Sequence, residues 1–347
     1  MSISSQTLAK FFLFTTIFLT TIVGGVIIYI YQFKINNPMI WDVSKNDKHF
    51  YLGASSHRLP PNNVPKSYFD ILDKVENFYT EQNADCHLVF SELFKNESNQ
   101  YFQDRFSNDQ QSYLQAFFKK YGGDSDLDRL TTPTILSMMY VNFDNYYGWA
   151  YEFGVETLLF EHLRTTHRLE YVYAGGLEAQ DFCDTYNAYF KEVANHPELY
   201  FKLGSIEATP VVIEAKLKAW RMGDFENLIA LSQLTVIDNK YINMRNRKWI
   251  NKINEIITNE HYKLSFIVVG AAHFPGENGM LSLLEQQGYS IKRLDVGDEE
   301  QGNYVYYLSG WSFKIFKALS LTTFLSLFLF IIFSVHLALI KLKIIRS

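Results

Sequence analysis

Phe266 to Leu294, FIVVGAAHFPGENGMLSLLEQQGYSIKRL, carries the strongest structural signal in the chain. It begins inside the uninterrupted apolar run Leu264–Gly270, whose short length and branched residues predict a strand buried on both faces. After a loop containing Gly and Pro, Met280–Gln287 predicts a helix, and Gly288-Tyr289 turns into a predicted strand at Ser290–Leu294. A buried strand, a helix and another strand in this order are typical of a parallel sheet covered by helices.

The same alternation extends outward over residues 36–310. The other predicted strands are Phe50–Gly53, Cys86–Phe90 and Glu170–Tyr173, and the other predicted helices are Tyr68–Tyr79, Gln111–Tyr121, Ala150–Arg164 and Tyr241–Glu260. The polar stretches Asn96–Asp104 and Gly122–Arg129 predict loops. Because no repeat or Pro/Gly-rich linker divides the segment, we expect one α/β domain with a mixed, mainly parallel sheet.

Polar side chains follow four of the predicted strands, at the point where each strand ends. In chain order they are His57, Glu92, Glu178 and His273. Ligands of open α/β sheets bind outside the carboxyl ends of the strands, so we expect these four side chains to converge. Imidazole nitrogen and carboxylate oxygen are ligands that divalent metals accept in proteins. The sequence therefore predicts a metal site at this edge.

Small residues beside these side chains favour a pocket. Gly53, Ala54, Gly270, Ala271 and Ala272 would let the backbone approach a ligand closely. Taken singly, each polar residue has a plainer interpretation, since acids commonly cap helices and histidines are commonly hydrogen-bonded in a core or at a surface. It is the occurrence of all four together that favours a functional site.

Phe266 to Leu294 also resembles the C-terminal signature of the TraB/GumN family, which includes the Tiki proteases of animals. That signature is a strand, G-x-x-H, a Pro-Gly-acid-Gly loop, an apolar helix and Gly-Tyr before a last strand. The matching residues here are Gly270, His273, Pro275, Gly276, Glu277 and Gly279. YLGASSHRLPP, which contains His57, is similar to an earlier G-x-x-H of the family, with Ala54 in the place of the motif glycine and Gly53 one position before it.

Four shorter fragments are similar to further family motifs. They are Val89-Phe90-Ser91-Glu92 for a strand ending in an acid, Gly154-Val155-Glu156 for G-[IV]-[DE], Leu177-Glu178 for LE, and Arg245-Asn246 for an Arg-Asn pair on a long helix. Ala179 stands where a Thr is expected after the LE motif. Arg245 and Asn246 lie one helical turn before Trp249, so we expect them near the apolar face, orienting other groups rather than reacting.

The resemblance implies a fold like that of erythromycin esterase and a divalent-metal-dependent peptidase, with Mn, Co or Zn as the metal. His57, His273 and one or both of Glu92 and Glu178 would hold the ion, and the remaining Glu would accept a proton. The supporting residues would be Gly53, Gly270, Arg245, Asn246 and Glu277. An alternative from the same residues is a non-catalytic domain that sequesters a peptide signal or a cofactor, and a third is an inert scaffold, which the departures at Ala54 and Ala179 favour.

Two apolar runs without charge flank the domain. Phe11–Tyr31 and Ala318–Ile340 are each about 20 residues long, which is enough to cross roughly 30 Å of hydrocarbon. Both are therefore predicted transmembrane helices. The first favours an uncleaved signal anchor over a cleaved signal peptide, because its apolar run is too long and no A-x-A site follows it.

The charge pattern of the two ends predicts the topology. Residues 1–10 and 341–347 carry basic residues without an acid, so both ends are expected in the cytoplasm. The domain at 36–310 is then expected outside the cytoplasm, periplasmic or extracellular, at a cell membrane and acting on a peptide or protein. The net charge of −5 argues against nucleic acid as a partner. Cys86 and Cys183 could pair in an oxidising compartment or lie buried separately.

Overall fold

Six strands form one sheet at the centre of the domain. The computed structural model describes residues 37–60, 63–81, 101–122, 126–178, 182–201, 210–232 and 234–295. The six strands are β1 (Ile40–Lys45), β2 (Lys48–Ser55), β3 (Asn77–Thr80), β4 (Tyr173–Gly176), β5 (Ser265–Gly270) and β6 (Ser290–Arg293). Their order is β4-β3-β5-β2-β1-β6. The pairs β2–β5, β3–β5 and β3–β4 are parallel, whereas β1 is antiparallel to both β2 and β6. Of these six strands, β1 alone runs against the others, which confirms the predicted mixed, mainly parallel sheet.

Helices connect the strands and supply most of the remaining structure. Their bounds are α1 Lys66–Leu72, α2 Phe102–Arg105, α3 Asn108–Tyr121, α4 Thr132–Tyr146, α5 Val155–Thr165, α6 Phe182–Asn195, α7 Pro210–Arg221, α8 Phe225–Ser232, α9 Val236–Thr258 and α10 Met280–Gln286. The long helix α9 begins at a capping box, in which Thr235 and Asp238 satisfy each other's backbone N–H groups. Together the helices and strands give the α/β architecture expected from the alternating pattern.

Strand β5 is the centre of the core. All six of its residues are buried, and it lies between β2 and β3. Phe266, Ile267, Val268 and Val269 have no exposed surface at all. Burying an apolar side chain of this size stabilises a fold by about 1.5 to 3 kcal/mol. This strand therefore contributes strongly to fixing the position of the carboxyl ends of the central strands. The strand predicted at Leu264–Gly270 is therefore confirmed.

Several other sequence predictions are confirmed. The predicted helices Gln111–Tyr121, Tyr241–Glu260 and Met280–Gln287 correspond to α3, α9 and α10, and the predicted strands Phe50–Gly53 and Ser290–Leu294 to β2 and β6. The β1–β2 hairpin was not predicted. Its turn residues Asn46 and Asp47 both have positive φ, 51° and 62°, a conformation that Asn and Asp tolerate in tight hairpins.

The helix predicted at Tyr68–Tyr79 is wrong in its second half. Helix α1 ends at Leu72, and β3 begins at Asn77. Phe78 is fully buried and is paired with Phe266 of β5, because parallel pairing at the sheet centre outweighs the helical spacing of its apolar residues. The strand predicted at Glu170–Tyr173 is displaced as well, since residues 168–170 form a 3₁₀ turn before β4.

Other predictions lie outside the described residues: both transmembrane runs, the strand Cys86–Phe90, and Glu92. Within the described ranges, no helix combines the length and apolar character needed to span a membrane. Cys183 is disulfide-bonded, and Cys86, the other cysteine of the sequence, is not among the described residues.

Arg293 joins the beginning and the end of the domain. Its Nε donates to the carbonyl of Pro38, and its terminal NH2 group donates to the carbonyls of Asn37 and Gly223. Directly after it, the Leu294 N–H donates to the carbonyl of Ile40. The entry into β1 and the exit from β6 are thus hydrogen-bonded neighbours.

Candidate functional site

Three neighbouring parallel strands end at one edge of the sheet, and a titratable side chain follows each. His57 comes after β2, Glu81 directly after β3, and His273 in the 3₁₀ turn after β5. The Oε1 atom of Glu81 lies 3.8 Å from Nε2 of His57 and 3.8 Å from Nε2 of His273. Both imidazoles therefore lie close to the same carboxylate oxygen.

The other nitrogen of His57 faces a second acid. Its Nδ1 lies 3.1 Å from Oε1 of Glu156, and the hydroxyl of Ser55 donates to the same oxygen. Glu156 stands in the first turn of α5, which begins at Val155. Gly154 is the residue directly before the helix, and a Cβ at Gly154 would lie 2.3 Å from the carbonyl oxygen of His57. This close approach is why glycine is needed there. The negative charge of Glu156 raises the pKa of His57 to about 9, against the opposing effect of partial desolvation; 54% of the side chain remains exposed.

His273 is held in one tautomer by Asn246. The Asn246 side chain has no exposed surface, and its amide nitrogen donates to the carbonyls of His273 and Asn278. Its oxygen must then face the His273 ring, where it lies 2.6 Å from Nδ1 and accepts that proton. Burial, with the nearby positive charges of Arg245 and His57, lowers the pKa of His273 to about 3, although Glu81 opposes this. Its Nε2 is therefore unprotonated and can accept a hydrogen bond from a terminal nitrogen of Arg245, 3.4 Å away.

Arg245 links two buried acids beside the histidines. From α9 its Nε and one terminal nitrogen reach Glu178 Oε1 at 2.6 Å, and the same terminal nitrogen reaches Glu81 Oε2 at 2.7 Å. Its other terminal nitrogen lies 3.4 Å from Nε2 of His273, and the guanidinium packs 4.6 Å from the ring centre of Trp249. The side chains are 14%, 8% and 5% exposed for Arg245, Glu81 and Glu178, so both ion pairs are buried.

The two acids respond differently to this environment. Burial alone would raise the pKa of Glu81, but the charges of Arg245 and of the two histidines, together with the Gly270 N–H, hold it below its usual range. For Glu178 burial prevails and raises the pKa, although Arg245 opposes the change. Glu81 is thus the acid that is firmly held as a carboxylate.

Part of this cluster lines a cavity of about 500 Å³. His57, Glu81, Arg245, Gly270 and His273 line it, whereas Glu156 and Glu178 stand behind the lining side chains. Helices α4, α6, α7, α8 and α9 supply the remaining walls. A cavity of this volume is within the range of small-ligand sites.

The site has the donor set of a metal centre. Within the described part of the chain, His57, Glu81 and Glu156 each offer one ligand atom, and these atoms lie within 4.8 Å of one another. Imidazole nitrogen and carboxylate oxygen are suited to divalent zinc, cobalt or manganese. The residues present therefore fit the kind of metal that the sequence predicts.

A sequence model of the TraB/PrgY/gumN family matches residues 39–293. The chain belongs to this family. The match runs from just before β1 to the end of β6, so the whole sheet of the TraB/PrgY/gumN domain lies inside it. Neither the curated proteins nor the solved structures give a match to the chain.

The TraB/PrgY/gumN domain brings together most of the residues selected from the sequence. His57, His273, Glu178, Arg245, Asn246 and Gly270 all belong to the cluster. Two supporting residues do not. Gly53 lies within β2, where an added Cβ would meet the Phe266 ring at 2.9 Å, so it serves core packing. Glu277 lies exposed in the loop before α10.

Two acids of the site were not selected as ligands from the sequence. Glu81 follows β3 in the way that Glu92 was predicted to follow a strand at Cys86–Phe90, which lies outside the described residues. Glu156 was noted as a motif residue without a role. A signal for Glu81 existed: Asn77-Phe78-Tyr79-Thr80 is rich in β-favouring residues and runs directly into an acid. The signal for Glu156 was weaker, since an acid in a first helical turn is commonly a cap.

Gly270→Ala tests how tightly Glu81 is held. The N–H of Gly270 donates to Glu81 Oε1 at 2.5 Å, and an added Cβ would lie 2.8 Å from that oxygen. We expect the methyl group to displace the carboxylate and to weaken Mn²⁺ or Zn²⁺ binding by about 10-fold, the effect typical of a disturbed ligand orientation. Calorimetric titration measures the affinity, and the melting temperature of the metal-free variant controls for a folding defect. Unchanged affinity would show that Glu81 does not contribute to the metal site.

Proposed function

We propose that this TraB/PrgY/gumN protein is a divalent-metal-dependent hydrolase that cuts peptide bonds. The observation that carries the proposal is the position of Glu81 Oε1, 3.8 Å from the Nε2 atoms of both His57 and His273. Ligands bound at about 2.0 to 2.2 Å from one metal lie between about 3 and 4 Å from each other. Each imidazole nitrogen is at this spacing from Glu81 Oε1, and three protein ligands would leave further coordination positions for a substrate and water. Among the described residues, the ligand atoms that all lie within 4.8 Å of one another are those of His57, Glu81 and Glu156, so His273 would complete the proposed set by a shift of its ring when the metal binds.

The groups behind these three side chains support the same assignment. In metal sites a ligating histidine commonly donates its other ring N–H to a carboxylate or carbonyl oxygen, which fixes its orientation. Glu156 has this relation to His57, and the side-chain oxygen of Asn246 has it to His273. In this proposal His57, His273 and Glu81 are the ligands, and Glu156 and Asn246 are positioning residues.

Arg245 has two tasks in the proposed reaction. It keeps Glu81 ionised through its contact with Oε2, and its terminal nitrogen beside His273 faces the cavity, where it can donate to the carbonyl oxygen of a bound peptide. A divalent ion, when bound, would supply Lewis-acid polarisation of the carbonyl and acidification of water. Glu178 holds Arg245 from behind and has no direct part in this scheme.

The proposed setting is the outer side of a cell membrane. The two apolar runs at 11–31 and 318–340 and the basic ends support a two-pass anchor with the domain at 36–310 outside the cytoplasm. The disulfide at Cys183 supports it further, because disulfides persist in oxidising compartments. The proposed substrate is then a peptide or protein presented outside the cytoplasm.

The metal test compares two histidines that each contact an acid. His57→Ala should reduce Mn²⁺, Co²⁺ or Zn²⁺ affinity by about 100-fold or more, because a ligand is lost rather than an outer partner. His49→Ala is the matched control: His49 lies 3.4 Å from Asp42 and is 46% exposed, against 54% for His57. Metal content after dialysis of the full chain and peptide hydrolysis with the metal added are measured for both. Equal metal content in the two variants would contradict the proposal.

One observation favours a second function, the sequestering of a peptide without cleavage. Arg245 already pairs with Glu81 at 2.7 Å and lies 3.4 Å from His273 Nε2, so two of the proposed metal ligands have a partner without a metal. Peptide binding that survives a chelator, with no product in the presence of Mn²⁺, Co²⁺ or Zn²⁺, would favour this function over hydrolysis.

A further inference from the structure

One wall of the cavity is apolar and lies close to the proposed metal ligands. Leu228 and Ile229 line the cavity from α8, Leu234 lines it from the segment just before α9, and Ile242 lines it from the second turn of α9. These four aliphatic side chains form what we call the aliphatic wall.

Ile242, one member of the aliphatic wall, lies one helical turn from Arg245. Ile242 precedes Arg245 by three residues on α9, so both side chains point to the same face, about 4.5 Å apart along the axis. Consecutive Cα atoms of a bound peptide are about 3.8 Å apart. A peptide whose carbonyl contacts Arg245 therefore carries its neighbouring side chain to the level of Ile242.

The aliphatic wall is not fully used by the core. Leu228 is buried and Ile229 packs against the core, but Leu234 and Ile242 are only half-buried. Within the described ranges, Leu234 and Ile242 are not among the side chains that pack on the core. Their remaining apolar surface faces the cavity, where a ligand can cover it.

Asp238, an acid that lines the cavity beside this wall, does not compete for the ligand. Asp238 lies one further turn before Ile242, and its Oδ1 accepts hydrogen bonds from Tyr189 at 2.7 Å and Tyr200 at 3.0 Å. Its Oδ2 accepts from the hydroxyl and the N–H of Thr235, both at 2.8 Å. Because both oxygens are already satisfied, Asp238 is a poor partner for a basic side chain of the substrate.

We propose that the aliphatic wall is the specificity subsite for a bulky apolar side chain, that of Leu, Ile, Met or Phe, in the residue next to the cleaved peptide bond. The proposal rests on the proposed function in one respect, namely that the bound ligand is a peptide whose carbonyl reaches Arg245. A charged or very small side chain at that position is disfavoured, since it either loses its hydration or leaves the wall uncovered.

The experiment uses the full chain loaded with Mn²⁺ or Zn²⁺ and a defined peptide mixture, in which mass spectrometry identifies the cleaved bonds. Two peptides that carry either Leu or Ala beside the preferred bond are then compared. Their kcat/KM values are measured with the metal-loaded protein, and their Kd values with the metal-free protein. We expect Leu to be preferred over Ala by at least about 10-fold, and Ile242→Ala to remove most of this preference. Val236→Ala, on the same helix but 75% exposed and outside the cavity, is the matched control.

Ile229→Ala is the second variant, and the melting temperature of each variant controls for folding. A preference for Leu that is lost in the cavity variants and kept in Val236→Ala supports the subsite. Cleavage without an apolar preference, or a preference that Ile242→Ala and Ile229→Ala leave intact, overturns it. If no peptide is cleaved, the proposed hydrolase activity is wrong, and the subsite is then judged by the Kd values alone. Equal affinity for the Leu and Ala peptides overturns the subsite. Tighter binding of the Leu peptide that Ile242→Ala abolishes supports the subsite.

Discussion

Arg245→Met is expected to lower the free energy of unfolding of the metal-free protein by about 3 to 5 kcal/mol. Arg245 is the shared partner of Glu81 and Glu178, which are only 8% and 5% exposed. Removing it leaves two carboxylates in a poorly solvated place, and this loss costs more than the ion pairs themselves contribute. Chemical denaturation at neutral pH measures the change.

Arg247→Met is the control for this variant, because Arg247 is on the same helix but exposed, with one hydrogen bond to Asn278. We expect it to change stability by less than about 1 kcal/mol. Adding Glu81→Gln and Glu178→Gln to Arg245→Met should recover part of the loss. Equal effects of the two arginine variants would mean that the buried ion pairs do not matter for stability.

The same variant should reverse the pH dependence that Glu81 confers. In the wild type the pKa of Glu81 is lowered on folding, because the charges of Arg245 and the histidines outweigh burial. Ionised Glu81 therefore stabilises the fold at any pH above its pKa in the unfolded chain. This stabilisation is lost as the pH falls through its lower pKa in the folded protein. Without Arg245 burial prevails, the folded pKa lies above the unfolded one, and the destabilisation is relieved as the pH falls. The stability difference between wild type and Arg245→Met should therefore shrink from pH 7 to pH 4.

Glu81→Gln is expected to have the largest effect on activity. The amide keeps the shape of the side chain, and its oxygen can still accept from the Gly270 N–H, but the charge between the two Nε2 atoms is lost. We expect metal affinity and peptide hydrolysis to fall by more than the roughly 10- to 100-fold that the loss of an outer-shell partner costs. Metal titration and kcat/KM measure the two effects.

Two comparison variants make this result specific. Glu76→Gln changes an exposed acid just before the other end of β3, one that pairs with Lys263 at 3.1 Å, and should leave both quantities unchanged. Glu92→Gln tests the acid that the sequence prediction selected. A larger effect of Glu92→Gln than of Glu81→Gln would show that the sequence prediction had the right acid and that the present ligand assignment is wrong.

The sheet centre was predictable because one physical pattern dominates it. Leu264–Gly270 is apolar apart from Ser265, since β5 has neighbours on both edges and is buried throughout. His273 follows from the same stretch, because the carboxyl end of a central parallel strand is where ligands bind. His57 was found by the same reasoning applied to β2.

Glu81 shows where such reasoning stops. Tyr68, Ile71, Val75 and Phe78 are spaced like one face of a helix, and this spacing hid the boundary between α1 and β3. Four residues are too few for a strand to show a clear period, and the pairing of Phe78 with β5 depends on residues almost 190 positions away. Contacts of Glu81 with Arg245 and Gly270 depend in the same way on the assembled sheet.

The contacts of Arg293 have a consequence for the connectivity of the domain. With the carbonyls of Asn37 and Pro38 bound to its guanidinium, and Leu294 bound to Ile40, the polypeptide nearly closes on itself. A circular permutation of the domain could join Leu294 to Asn37 by a short linker and open the chain at the exposed Asn46-Asp47 turn. Strand β1 would then form a hairpin with β6, whereas in the natural order it forms a hairpin with β2. Every strand neighbour would be kept, so the architecture does not depend on which residue comes first.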